Sequence, residues 1–160
     1  MVKNSKNLLI KLILLISIIA LISAFFIEYI LGHQPCNLCI LERIPYFLAI
    51  IVILLNYKFI EFEKFFILFL TIIFLFGTVL SLYHLGIEQG LIQESLVCDL
   101  KSGSNLLSKE EILKQLQEKS VSCKDVTFKM FGLSLTSYNI LISILITFSA
   151  GKIYFNYDKN

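Results

Sequence analysis

Long apolar runs dominate the chain, separated by short or charged stretches. The first extends from about Leu8 to Leu31, the second from about Ile40 to Ile60, the third from about Phe65 to Leu85 and the fourth from about Leu133 to Phe155. Each approaches the roughly 20 residues a helix needs to cross the hydrocarbon core of a bilayer. Backbone polar groups inside lipid must satisfy one another, and runs of this length do so as helices rather than barrel strands. The second run is the weakest, because Glu42 and Arg43 crowd its start and Asn56 and Lys58 its end. The pattern predicts an all-α membrane protein: one four-transmembrane-helix bundle over residues 1–160.

Composition supports a lipid-facing chain. Of 160 residues, 57% are hydrophobic, and mean hydropathy is +0.81. A soluble domain of this size could not bury so much apolar surface, so the excess must face lipid. The first run is too long for a signal-peptide core of about 7–15 residues, and no convincing Ala-x-Ala site follows it. A net charge of +2 with scattered lysines argues against nucleic-acid binding.

An even number of spans puts both termini on one side. Lys3, Lys6 and Lys11 precede the first span, whereas only His33 and Arg43 follow it in the first loop. The positive-inside rule then places both termini in the cytoplasm. Lysines spread along the third loop dilute this signal, but the first helix usually dominates. The first loop, about 32–43, and the third, about 86–132, face outward together. The third loop is long for a compact bundle. Within it, Ser108-Lys109-Glu110-Glu111 reads as a capping box ahead of Ile112, Leu113 and Leu116. A short amphipathic helix is expected there, on the membrane surface or in solvent.

The candidate chemistry is sulfur. Cys36 and Cys39 form a CxxC pair in the first loop, while Cys98 and Cys123 lie in the third. All four face the same compartment, where disulfides persist. They allow three pairings. Adjacency makes Cys36–Cys39 the natural first pair, which leaves Cys98–Cys123. If the chain is helical from Cys36 onward, Cys36, Cys39 and Arg43 share one helix face. A nearby cation and a helix N-terminus favour the reactive thiolate. A metal is not expected, since closed four-cysteine zinc sites usually show two close pairs. Ile40 stands where a c-type haem motif needs His.

These residues resemble the bacterial disulfide bond formation protein B (DsbB) family. Gln34-Pro35-Cys36-x-x-Cys39-x-x-Glu42-Arg43 is similar to its first-loop motif, and Cys98-Asp99 to its third-loop cysteine. Cys123, then Phe128, then Phe131-Gly132-Leu133-Ser134-Leu135 leading into Tyr138 resembles its approach to the fourth helix. The chain departs from the family in having no Trp.

The resemblance implies an inner-membrane oxidase that reoxidises a periplasmic thioredoxin-like dithiol protein, DsbA-like, and passes the electrons to a quinone, ubiquinone or menaquinone. In that scheme the partner's thiolate attacks the Cys98–Cys123 disulfide at Cys98. Cys123 then attacks Cys36, and Cys39 is released as a thiolate beside the quinone. Arg43 stabilises that thiolate and polarises a quinone oxygen, or else anchors the interface. His84 ends the third span on the cysteine side, placed to line a quinone pocket, with Tyr46 and Phe47 as further ring contacts or lipid-facing aromatics. Glu42 is expected at headgroup level or as an Arg partner, and Glu28 as a snorkelling residue.

Two other readings compete. One is a vitamin K epoxide reductase-like enzyme, in which the CxxC usually follows the loop cysteines; here it precedes them. The other is a non-enzymatic haem-binding or assembly protein using His33 and His84, with structural cysteines.

Overall fold

The computed structural model describes residues 2–93, 122–124, 128–130 and 132–157. Cys98 and the expected amphipathic helix after Ser108 lie outside these residues. Helix α1 covers Val2–Tyr29, α2 Asn37–Leu41, α3 Ile44–Lys58, α4 Glu63–Glu88 and α5 Leu135–Phe155. A single 3-10 turn, Ile60–Phe62, makes α3 and α4 a hairpin. Strands β1 (Lys129–Met130) and β2 (Leu133–Ser134) pair antiparallel just before α5. Gly132 completes their turn at φ +83°, a backbone conformation that glycine adopts without steric cost.

Four described segments are long and apolar enough to cross a membrane: Lys6–Tyr29, Asn37–Lys58, Ile60–Glu88 and Leu135–Phe155. Their outer faces carry Leu15, Ile22, Phe69, Phe76, Leu145 and Phe148, all exposed. In water this surface would be costly; in a bilayer it meets hydrocarbon. The protein is an all-α, multi-pass membrane protein.

The second span is two helices rather than one. Pro45 at the start of α3 has no N–H to offer the preceding turn, and its ring crowds the carbonyl one turn back. The chain tightens instead, with the Arg43 N–H donating to the Ile40 carbonyl at 3.1 Å. The third span runs past Leu85 to Glu88, so Glu88 stands one turn beyond His84.

α4 packs most extensively against α5, while α3 lies against both α1 and α4. The main core is apolar and includes Ile13, Ala49, Ile53, Leu70, Phe74 and Ala150. Hydroxyls inside it bond their own helix: Ser17, Thr78 and Ser81 donate to carbonyls four residues back at 2.8, 2.8 and 2.9 Å. Gly77 lets α4 approach α3 closely, because a Cβ there would sit 3.1 Å from Pro45 Cγ. At the other end of the span, Lys6 pairs with Glu63 at 2.8 Å and Tyr157 donates to the same carboxylate at 3.1 Å. A second buried cluster sits where α1 and α4 end and α3 and α5 begin. It holds Cys36, Leu38, Ile87 and Cys123, with Cys39 and Tyr83 packed against it.

Candidate active site: a buried dithiol backed by His84

Cys36 begins the site because it caps α2. Its sulfur accepts the Cys39 N–H at 3.2 Å, doing the work an oxygen does at most helix starts. That cap fixes Cys39 one turn on, and the two sulfurs lie 2.7 Å apart. Both are free thiols, Cys36 buried and Cys39 partly exposed. A disulfide is about 2.05 Å long, so bonding needs a shift of well under an ångström. The Cys36 thiol is pulled down to about 5. The Cys39 thiol donating to it is the largest cause; burial opposes this, and His84 reinforces it. The thiolate is the form that attacks disulfides and is held by metals.

His84 comes from the last turns of α4 and is only 1% exposed. Its Nδ1 lies 2.8 Å from Glu42 Oε1, and its Nε2 lies 3.5 Å from Cys36 Sγ. With Nδ1 bonded to the carboxylate, Nε2 is the ring nitrogen that faces the sulfur. Glu42 is itself held, since Asn139 Nδ2 donates to its Oε2 at 3.0 Å. Asn139 also donates to Ser81 Oγ at 2.7 Å and accepts from the Tyr46 hydroxyl. Thr136 lies 3.3 Å from His84 Nδ1 and donates to Glu88 at 2.6 Å. Three helices and the α2–α3 break thus converge on one imidazole.

Arg43 turns elsewhere. Its guanidinium pairs with Glu28 of α1 at 2.5 Å and lies over the Phe25 ring. Expected on one helix face with Cys36 and Cys39, Arg43 finds its charge partner on α1. Glu28 is therefore an ion-pair partner, and Glu42, expected at headgroup level, is buried against His84. Tyr46 is buried edge-on to Phe74 at 5.5 Å, whereas Phe47 is exposed. His33 meets Phe128 edge-on at 5.3 Å, which joins the first and third loops.

Cys123 is disulfide-bonded and buried in the same cluster as Cys36. Its expected partner Cys98 lies outside the described residues. Cys36, Cys39 and His84 offer ligand atoms within 4.8 Å of one another. The reading of the sequence missed Asn139, Thr136 and Glu88 altogether. Polar residues inside apolar spans were the available signal, since lipid makes them costly unless they serve a purpose.

Four spanning helices closed at one end over a dithiol define an integral-membrane thiol protein. The chain belongs to the DsbB family: the profile described as "Disulfide bond formation protein DsbB" matches residues 6–152. It is a membrane oxidoreductase of disulfide bond formation. It is also 33% identical to "Uncharacterized protein RP370" of Rickettsia prowazekii (strain Madrid E), over 99% of this chain and 94% of that one. No solved structure matches the chain.

Proposed function

We propose that this protein reoxidises a periplasmic thioredoxin-like dithiol oxidant, DsbA-like, and delivers the two electrons to ubiquinone or menaquinone. The observation that carries this reading is the burial of Cys123 in one cluster with Cys36, beside Cys39. A sulfur released in the third loop then has its next target at hand.

The steps balance by thiol–disulfide exchange. A partner thiolate attacks the Cys98–Cys123 disulfide at Cys98 and releases Cys123. The partner's second thiol resolves the mixed disulfide, so the partner leaves oxidised and Cys98 becomes a thiolate. Cys123 attacks Cys36 in the Cys36–Cys39 disulfide and expels Cys39. Cys98 then attacks Cys123, which restores the loop disulfide and leaves Cys36 and Cys39 reduced. The α2 amides and the Cys36 cap hold Cys39 in place. His84, oriented by Glu42, backs Cys36. A lipid quinone supplies the two-electron sink when bound.

The residues suit such a group in part. Cys39 is partly exposed at the edge of the bundle, next to exposed Ile40 and Ile44. Arg43 lies nearby at the interface, 18% exposed in its side chain. His84 and Tyr46 are buried and hydrogen-bonded, so they support the site from behind. Both termini lie in the cytoplasm and all four cysteines in the periplasm, on the charge argument of the first span. The whole chain acts as one four-helix membrane domain.

Trapping tests the reading. With Cys123→Ser, Cys98 should hold a partner in a long-lived mixed disulfide, visible on non-reducing gels. Absence of an adduct with any periplasmic thiol protein would overturn the assigned roles. Purified wild-type protein should also oxidise a reduced thioredoxin-like protein over many turnovers only when quinone is present.

A further inference from the structure

We propose that the reduced dithiol and His84 together form a binding site for a soft divalent cation of the zinc group. Three donors converge. Cys36 and Cys39 supply sulfurs from the start of α2, and His84 supplies Nε2 from the end of α4. Their ligand atoms all lie within 4.8 Å of one another. Zinc takes sulfur at about 2.3 Å and imidazole nitrogen at about 2.0–2.1 Å, which sets a tetrahedral sulfur–nitrogen separation of about 3.6 Å. Cys36 Sγ and His84 Nε2 are already 3.5 Å apart. Around the same ion the two sulfurs need a separation of about 3.8 Å. They stand at 2.7 Å, so the partly exposed Cys39 side chain must swing outward by about 1 Å.

The surroundings of the imidazole give an independent reason. Metal-ligating histidines almost always donate their other ring N–H to a carboxylate or carbonyl, which fixes the tautomer and raises ligand basicity. Here Glu42 Oε1 takes that position at 2.8 Å from Nδ1. Asn139 fixes the carboxylate in turn, at 3.0 Å from Oε2. Glu88 Oε1 lies 3.8 Å from Nε2 but outside this group of three, so the fourth position falls to water. The spacing of the cysteines does not foretell this site, because its third ligand comes from another helix.

Binding moves no electrons. Two thiols and one divalent cation give a metal dithiolate and release two protons. The disulfide form has no thiolate to offer, so only the reduced state takes the ion. This inference rests on the oxidase reading only in one respect: that reading makes the reduced dithiol a state of turnover, and the ion would hold the protein in it.

Cobalt(II) is the probe. The full-length chain carrying Cys98→Ser and Cys123→Ser is purified in detergent, reduced, and titrated. Tetrahedral d–d bands and a sulfur-to-cobalt charge-transfer band should saturate at one ion per chain, and zinc should bleach both. Oxidising Cys36 and Cys39 should abolish them. Glu42→Gln should weaken cobalt binding by about 10- to 100-fold, and His84→Ala should weaken it at least as much. An octahedral spectrum, an unchanged signal in the oxidised chain, or undiminished affinity in His84→Ala would each overturn the site. The oxidised–reduced comparison keeps the test decisive should a His84 variant not fold. The titration uses neither quinone nor partner, so its failure leaves the oxidase reading standing, and the reverse holds too.

Discussion

His84 and Glu42 meet at 2.8 Å inside the bundle, although 42 residues separate them in the chain. The carboxylate sits in the break between α2 and α3, and the imidazole near the end of α4. Neither group would be stable alone in a low-dielectric interior. Together they set which imidazole nitrogen faces Cys36.

Glu42→Leu should therefore cost about 1–3 kcal/mol, because it strands the His84 Nδ1–H and an Asn139 N–H without acceptors. Glu42→Gln keeps one carbonyl acceptor and turns its N–H₂ toward the other donor, so it should cost less than Glu42→Leu but more than nothing. Thermal unfolding in detergent, followed by helical circular dichroism, checks both. Equal losses would show that charge rather than hydrogen bonding holds the pair.

Asn139 joins α5 to α4 and to the α2–α3 break through Ser81 and Glu42. Asn139→Leu should destabilise the protein by about 1–3 kcal/mol despite adding apolar volume inside a membrane span. An unchanged unfolding midpoint would mean that waters replace the amide.

Gly77 is where α4 passes Pro45. A Cβ there meets Pro45 Cγ at 3.1 Å and Cβ at 3.3 Å, and a proline ring has little room to yield. Gly77→Val should cost about 1–3 kcal/mol by overpacking. Gly77→Ala should cost less, since the neighbours need shift only slightly. Comparing the two midpoints separates overpacking from loss of backbone freedom.

Arg43→Ala should slow quinone reduction by on the order of 10-fold while both disulfides still form. Glu28→Ala should cost no more than about 1 kcal/mol, because the pair is partly solvated. Stopped-flow absorbance with a defined quinone reads the first effect. Unchanged kinetics in Arg43→Ala would make the residue an anchor of α3 against α1.

The sequence by itself determined the four spans, since a helix that must satisfy its own backbone in lipid needs only length and apolarity. It also determined the dithiol, because CxxC spacing brings two sulfurs together within one helical turn. The partner of Arg43 was not legible. Local periodicity says nothing of which neighbouring helix a side chain meets, and α1 brings Glu28 to the guanidinium. Nor could the chain alone show that Glu42, Asn139 and Thr136 converge on His84. Those contacts join positions 42 to 97 residues apart. Only the packing of α4 against α5 and α3 decided them, because a buried polar group finds whichever partner the bundle brings within reach.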